Sequence, residues 1–266
     1  MNIIVCVKKI PDPEIPPAKF KLDPEALQVI PPEGIPPIMS PYDEQAVELA
    51  VRLKEKNGGT ITVLSIDEET SLKIIRHALA MGSDKGMVLA DPAFVGSDSF
   101  STATILAQAI KKLGDYDLIL CGRQAADWDE GLVGSILAEK LDLPLVTLAV
   151  DIELTENHLK VKRATLDGYQ VFVVPQPAVV SVSSEVGQPR LPSGWGIISA
   201  SKKEVPVWNA SDIEVDPTHT GPGAARRKLV KLFIPERKRE CEIVEAETTG
   251  EAAGKLAERL KKEGLV

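Results

Sequence analysis

Residues 121–134, Cys-Gly-Arg-Gln-Ala-Ala-Asp-Trp-Asp-Glu-Gly-Leu-Val-Gly, form the stretch of this chain whose residue types and spacing best suit ligand chemistry. They follow an apolar, strand-like run, Asp117-Leu-Ile-Leu-Cys121, and open a helical run from Leu132 to Leu141. In an open α/β sheet such a turn lies where nucleotides bind, and the free backbone amides at the helix start can hold a phosphate. Strand, small-residue turn and helix is also how any α/β unit turns a corner, so the spacing alone leaves both readings open.

Other chemistries lack their residues. No Gly-x-Gly-x-x-Gly follows the first apolar run, and there is no Walker-type phosphate loop and no nucleophile elbow. Ser199-Ala-Ser-Lys202 meets a Ser-x-x-Lys spacing but has no accompanying Ser-Asp-Asn, and Asn209-Ala-Ser211 matters only in a secreted chain. No catalytic residue is named, because Asp127 and Asp129 read more readily as a capping pair than as an acid/base dyad. Cys6, Cys121 and Cys241 fit neither a zinc nor an iron–sulfur spacing, and His77, His158 and His219 are equally scattered. The cysteines are read as buried thiols in a reducing compartment, and no metal is expected.

Formal net charge is −8, which argues against a general binder of nucleic-acid backbone, since that affinity comes from clustered Lys and Arg. No apolar run approaches the roughly 20 residues of a membrane helix. The N-terminal Met1-Asn-Ile-Ile-Val-Cys-Val-Lys8 lacks a charged region before its short apolar core and reads as a strand, so a cytoplasmic location is expected.

The elements that must position the 121–134 turn alternate strand and helix through residue 145, the pattern of a parallel sheet covered on both faces. Strands are predicted at Ile3–Val7, Thr60–Ser65, Gly86–Leu89 and Asp117–Cys121, with helices over 42–57, 68–81, 99–113 and 131–141. The first helix has Ser40 as cap, Pro41 at its first position and Asp43 placed to bond back, and Gly58-Gly59 ends it. Residues 11–41 hold ten of the twenty prolines and predict at most short extended pieces such as Lys19–Leu22, in either a linker-like loop or, from its place between the first strand and first helix, an ordered excursion over the ligand edge. Beyond 145, Val146–Leu154, Leu159–Thr165, Gln170–Val174 and Ala178–Val182 are joined by tight turns and predict an antiparallel addition at one sheet edge. Residues 183–240 read as mostly irregular, with a helical piece near 196–203, and Thr248–Lys262 as an amphipathic helix. The expected organisation is an α/β nucleotide-binding domain over 1–183. A docking loop, an irregular arm and a C-terminal helix that packs on a partner follow over 184–266.

The whole chain resembles the β subunit of electron transfer flavoproteins. The resemblance runs in one order through Val5-Cys-Val-Lys8, Ser40-Pro-Tyr-Asp43, Glu48-Leu-Ala-Val-Arg-Leu-Lys54, Arg76-His-Ala-Leu-Ala-Met-Gly82, Cys121-Gly-Arg-Gln-Ala125, Val161-Lys-Arg163, Pro177-Ala-Val-Val180 and Gln188-Pro-Arg190. It implies a heterodimer in which an α subunit carries the redox-active FAD. This chain would hold a second adenine nucleotide and dock a flavin-dependent dehydrogenase, with a quinone-linked or other oxidoreductase downstream. The implied nucleotide contacts are Cys6, Ser40, Pro41, Tyr42, Asp43 and Ile66, together with Gly122, Arg123, Gln124, Asp127, Asp129, Glu130, Gly131, Leu132 and Val133. Tyr42 and Arg163 would lie near the partner's flavin, and Arg190, Leu191, Gly194 and Trp195 would belong to the docking loop.

Two departures bear on the subtype. Where similar proteins carry Thr and Gln as phosphate donors, this chain has Glu130 and Leu132. A carboxylate beside a phosphate is repulsive unless it points away. AMP, with one phosphate, is therefore expected in preference to FAD. The alternatives are a bifurcating subunit that binds its own FAD and oxidises NADH, and a stand-alone adenine-nucleotide sensor. In the docking loop Gly194 replaces an anchoring leucine. Trp195 is then either a substitute anchor or a residue packed against the sheet.

Overall fold

A four-residue run such as Ile-Ile-Val-Cys, apolar on both of its faces, is satisfied only inside a sheet that is covered on both sides. The computed structural model describes residues 1–67, 72–235 and 241–266 and builds that arrangement. It begins with β1 (Asn2–Cys6), followed in the proline-rich segment by β2 (Lys9–Ile10), β3 (Lys21–Asp23), β4 (Gln28–Ile30) and β5 (Ile38–Met39). Then come α1 (Pro41–Asn57), β6 (Thr60–Ile66), α2 (Leu72–Met81), β7 (Lys85–Leu89), α3 (Ser99–Leu113), β8 (Leu118–Gly122) and α4 (Val133–Leu141). The second half supplies β9 (Leu145–Leu154), β10 (His158–Thr165), β11 (Gly168–Pro175), β12 (Ala178–Val182), α5 (Gly194–Lys202), β13 (Val207–Trp208), α6 (Gly221–Ala224) and α7 (Thr249–Lys262). The part of the expected 68–81 helix before Leu72 lies outside the described residues, as do residues 236–240 of the expected irregular arm.

Among the described residues nine strands form one sheet in the order β11-β10-β9-β12-β8-β1-β6-β7-β13. Period-two alternation divides its core in two. Ile3, Val5, Ile61, Val63, Leu118 and Leu120 face α1 and α2, whereas Ile4, Cys6, Leu64, Ile119 and Cys121 face α3 and α4. From β1 the chain winds outward through β6 to β7, then crosses back to β8 on the other side of β1. The strand order thus reverses between β1 and β8. In open α/β sheets a crevice opens at that point, outside the carboxyl ends of the strands.

The antiparallel addition is smaller than the sequence predicts. β9, β10 and β11 form an antiparallel meander, but β12 pairs parallel to both β8 and β9 and belongs to the central sheet. The reason is burial. All five residues of Ala178–Val182 are buried, the mark of a strand covered on both faces, while a hairpin strand at an edge would alternate. Another strand escapes the sequence reading altogether: β13, two residues inside the supposedly irregular stretch, pairs Val207 with Val88 and Trp208 with Leu89.

The proline-rich excursion is folded into a hairpin, β3 with β4, and a two-strand clasp, β2 with β5. The extended piece expected at Lys19–Leu22 begins instead at Lys21, because Pro17–Lys19 form a 3₁₀ turn. The chain divides into two units, Met1–Lys231 and Leu232–Val266. In the second, the Thr248 hydroxyl accepts from the Glu251 amide to cap α7, a helix with no buried residue. Cys241 is exposed, contrary to the expectation of three buried thiols, because the segment between it and α7 has no core to enter. Among the described residues no helix is long and apolar enough to cross a membrane.

Candidate functional site

At the reversal point the structure brings together the carboxyl ends of β1 and β8 and the start of α1. Asp43 joins them. Its carboxylate accepts from the Lys8 amide, 2.8 Å from Oδ2, and from the Gly122 amide, 3.1 Å from Oδ1. This corrects the expected capping box. Ser40 caps α1 through its carbonyl, which accepts from the Asp43 and Glu44 amides at 2.9 and 3.0 Å, and its side chain makes no capping bond. The Asp43 carboxylate cannot reach back to Ser40 because two amides of the neighbouring strand ends already hold it. The Ser40 hydroxyl is left fully buried with no hydrogen-bond partner, and the Ser65 hydroxyl, one residue before Ile66 at the end of β6, is in the same condition.

Burial pushes the Asp43 carboxyl up to about 7, against the two amides and the Lys8 charge that pull it down, with Asp127 adding to the rise. An acid whose pKa is raised on folding holds its proton longer in the folded state than in the unfolded chain. Stability is therefore fully retained below about pH 4 and is lost as pH rises towards about 7, by up to about 4 kcal/mol. Urea unfolding of the wild type and of Asp43→Asn at pH 5 and pH 8 checks this. The wild type is expected to weaken more than the variant between the two, and identical changes in the two proteins refute it.

Gly122 is required by space. A Cβ there would lie 2.5 Å from Asp43 Oδ1 and 2.8 Å from the Tyr42 carbonyl carbon. Next to it the Arg123 guanidinium sits 5.3 Å from the Tyr42 ring centroid, and the Lys8 ammonium pairs with Asp127 at 2.6 Å. Gln124 donates to Asp129 at 2.7 Å, and Asp129 and Gly131 both adopt left-handed backbone, with φ of 51° and 64°. These turns delay the helix to Val133, two residues after the expected start, and α4 has no side-chain cap on its first amides.

Glu130 is turned to other partners. It accepts from the Ser99 hydroxyl and pairs with Arg227 at 2.7 Å, so its charge is committed to the start of α3 and to the arm. Leu132 and Trp128 are exposed. Cys6 pairs in register with Cys121. A hydrogen bond that the Cys6 thiol donates to Cys121, then burial, hold that thiol well above its usual range.

Arg163 stands apart from this cluster, on β10, yet in the same row across the sheet: Arg163 is opposite Ala149, Ala149 opposite Val182, and Val182 opposite Gly122. Three strand spacings separate it from Gly122, about 14 Å. Its Nε is buried without a partner. The loop residues fall into two kinds. Arg190 is a tether: it pairs with Glu48 at 2.8 Å and Glu55 at 2.5 Å on α1. Burial of Glu48 works against ionisation, but Arg190 and Arg52 outweigh it and hold the carboxyl below its ordinary value. Leu191 and Trp195, by contrast, are 90% and 82% exposed, and Gly194 opens α5 with free space around it. Trp195 is thus not packed against the sheet. Sequence reasoning missed Lys8, Ser65, Ser99 and Arg227 as members or supports of the site. Only Lys8, immediately beyond the first strand, carried a signal by its position.

Among the described residues no group of three His, Cys, Asp or Glu side chains is placed to hold a metal. With that geometry in hand, comparison with known proteins is decisive, since the electron transfer flavoprotein domain matches residues 29–213. The chain belongs to the electron transfer flavoprotein family. It is 39% identical to the electron transfer flavoprotein subunit beta of Thermoanaerobacterium thermosaccharolyticum over the full length of both chains. It is 36% identical, again over both full lengths, to the caffeyl-CoA reductase-Etf complex subunit CarD of Acetobacterium woodii. The acryloyl-CoA reductase electron transfer subunit gamma of Anaerotignum propionicum is 32% identical over 90% of each chain. The role of this family member is electron transfer of the β-subunit kind.

Proposed function

We propose that this chain is the β subunit of a heterodimeric electron transfer flavoprotein, that it binds AMP at the reversal point, and that FAD on an α subunit carries the electrons it helps to deliver. The orientation of Glu130 admits a nucleotide phosphate, and the absent Thr and Gln donors favour the single phosphate of AMP over a dinucleotide. With its carboxylate paired to Arg227 and Ser99, the repulsion that would exclude a phosphate from the start of α4 is relieved. The free amides at Val133 and beyond supply the donors that the missing Thr and Gln side chains do not. The unpartnered Ser40 hydroxyl fits the same reading, since a buried hydroxyl without a hydrogen bond costs about 1–3 kcal/mol and a polar ligand group relieves that cost.

In this reading Cys6, Ser40–Asp43, Ile66 and Gly122–Val133 surround the nucleotide, and Asp43 fixes the spacing of the two strand ends. FAD, when bound to the partner, accepts and donates the electrons. Tyr42 and Arg163 are assigned to the boundary with that flavin, Arg163 by its unpartnered buried Nε at the level of Gly122. A partner subunit is also supported by β11, an edge strand whose Tyr169, Val171, Phe172 and Val173 are all exposed. The domain expectation is carried forward as a proposal: an α/β core, then a docking loop, arm and α7 that engage other polypeptides. The proposed dehydrogenase anchor is Trp195 with Leu191, while Arg190 holds their loop to α1.

Mass spectrometry of nucleotide released from the purified heterodimer tests the assignment. One AMP and one FAD are expected. Two FAD and no AMP would favour the bifurcating alternative, and no adenine compound beyond one FAD would overturn a nucleotide site in this chain. A separate measurement tests docking: Trp195→Ala should slow flavin reduction by the partner dehydrogenase about 30-fold, with flavin content unchanged. An unchanged rate would remove Trp195 from the interface.

A further inference from the structure

On the side of the sheet covered by α3 and α4, a hollow of about 370 Å³ lies between these helices and the segment around His219 and Arg226. Phe100 forms part of its wall. The Lys140 ammonium is 3.9 Å and the Arg226 guanidinium 3.6 Å from the centroid of that one ring. The two like charges therefore lie closer together than about one Debye length, where they repel. Among the described residues neither is in an ion pair. Burial, then Arg226 and Lys111, press the Lys140 ammonium below its ordinary value.

The neighbouring carboxylates are engaged elsewhere. Asp98 caps α3 through the Ser101 amide and also accepts from the backbone amides of Arg226 and Arg227. Glu130 pairs with the Arg227 side chain, and Asp216 takes both the amide and the hydroxyl of Thr218. The segment is thus held with its cationic side chain over the ring, while no acidic side chain answers the charge. His219, also on the wall, can add a third donor.

We propose that this hollow binds a small phosphate monoester through Lys140, Arg226 and His219. A phosphate monoester carries about −1.5 to −2 charge at neutral pH, enough to cancel two cations, and its oxygens accept from an ammonium, a guanidinium fork and an imidazole together. The volume exceeds what the phosphate alone would fill and falls within the range of small-molecule pockets, so an organic substituent fits beside it. This site is separate from the reversal-point pocket and does not depend on what binds there.

The test is calorimetric titration of the full chain as purified, with its flavin-bearing partner where the two co-purify, using inorganic phosphate with no AMP added. One saturable site is expected. Lys140→Ala and Arg226→Ala should each weaken it at least about fivefold, Arg226→Lys should keep part of the affinity, and Lys111→Ala should leave it nearly unchanged. Retention of the site in the Lys140→Ala/Arg226→Ala double variant would overturn the proposal. So would a non-saturating response equal to that of chloride at matched ionic strength. Should AMP fail to bind, the same variants still report on this hollow alone.

Discussion

Gly122→Ala is expected to lower the melting temperature by roughly 10 °C and to abolish nucleotide retention. The added methyl carbon would stand 2.5 Å from Asp43 Oδ1, 2.8 Å from the Tyr42 carbonyl carbon and 2.9 Å from Tyr42 Cβ. Two of these three atoms belong to the backbone or its immediate branch and cannot swing aside. The first turn of α1 would have to move off β8, and Asp43 would lose its 3.1 Å bond from the Gly122 amide. Overpacking of this kind costs about 1–3 kcal/mol, the lost bond adds about 1, and leaving a buried carboxylate oxygen short of a donor adds more. A total of about 3–4 kcal/mol corresponds to that drop for a unit of this size. Gly223→Ala is the control, since nothing lies within 4 Å of a Cβ there. A Gly122→Ala protein that melts with the wild type and keeps its nucleotide would show that the α1–β8 approach is not what shapes the pocket.

Gly196→Ala is expected to detach α5. A Cβ at this position would lie 2.4 Å from the Ala80 carbonyl oxygen, a backbone atom of α2, and 3.2 Å from the Ser193 hydroxyl that caps α5. α5 is otherwise fastened to α2 by Arg76, which donates to the Ala200 carbonyl at 2.7 Å and the Ser201 carbonyl at 3.1 Å. The clash and the fastening oppose each other, and a carbonyl on a packed helix yields less readily than the end of a short one. The expected cost is about 2–4 kcal/mol. If Trp195 docks the dehydrogenase as proposed, reduction by that partner should fall with α5 while the content of the nucleotide proposed for the reversal point stays normal. Gly194→Ala, with open space around it, is the matched control. Unchanged melting and unchanged turnover together would sink the argument.

The two variants separate the parts of the chain that the sequence made legible from those it hid. The helix over 41–57 could be read from Ser40-Pro41 at its start and Gly58 at its end, since local backbone chemistry governs both. What Asp43 does was not legible. Its partners lie 35 and 79 residues away, and a capping box is the only role that neighbours in sequence can suggest. Glu130 is similar. As a residue type beside a turn proposed to bind phosphate it signals repulsion, and only its pairing with Arg227 and Ser99 removes the objection.

Ala178–Val182 teaches the opposite lesson. Its apolar run, broken only by Ser181, carried the signal of a buried parallel strand, but the tight turns of the preceding hairpins were the louder pattern. β13 had no signal, because two residues are too few for a period.

The sequence by itself determined the alternation of strand and helix, the α/β class, the turn at 121–134 and membership of the family, because each rests on local periodicity, backbone preference or the order of short motifs. Only the tertiary structure decided that the strand order reverses between β1 and β8, that Asp43 ties their ends together, that Glu130 faces Arg227 and that Trp195 is exposed. Those outcomes depend on which distant groups meet, and a side chain's charge or apolar surface has no fixed consequence until its neighbours across the fold are known.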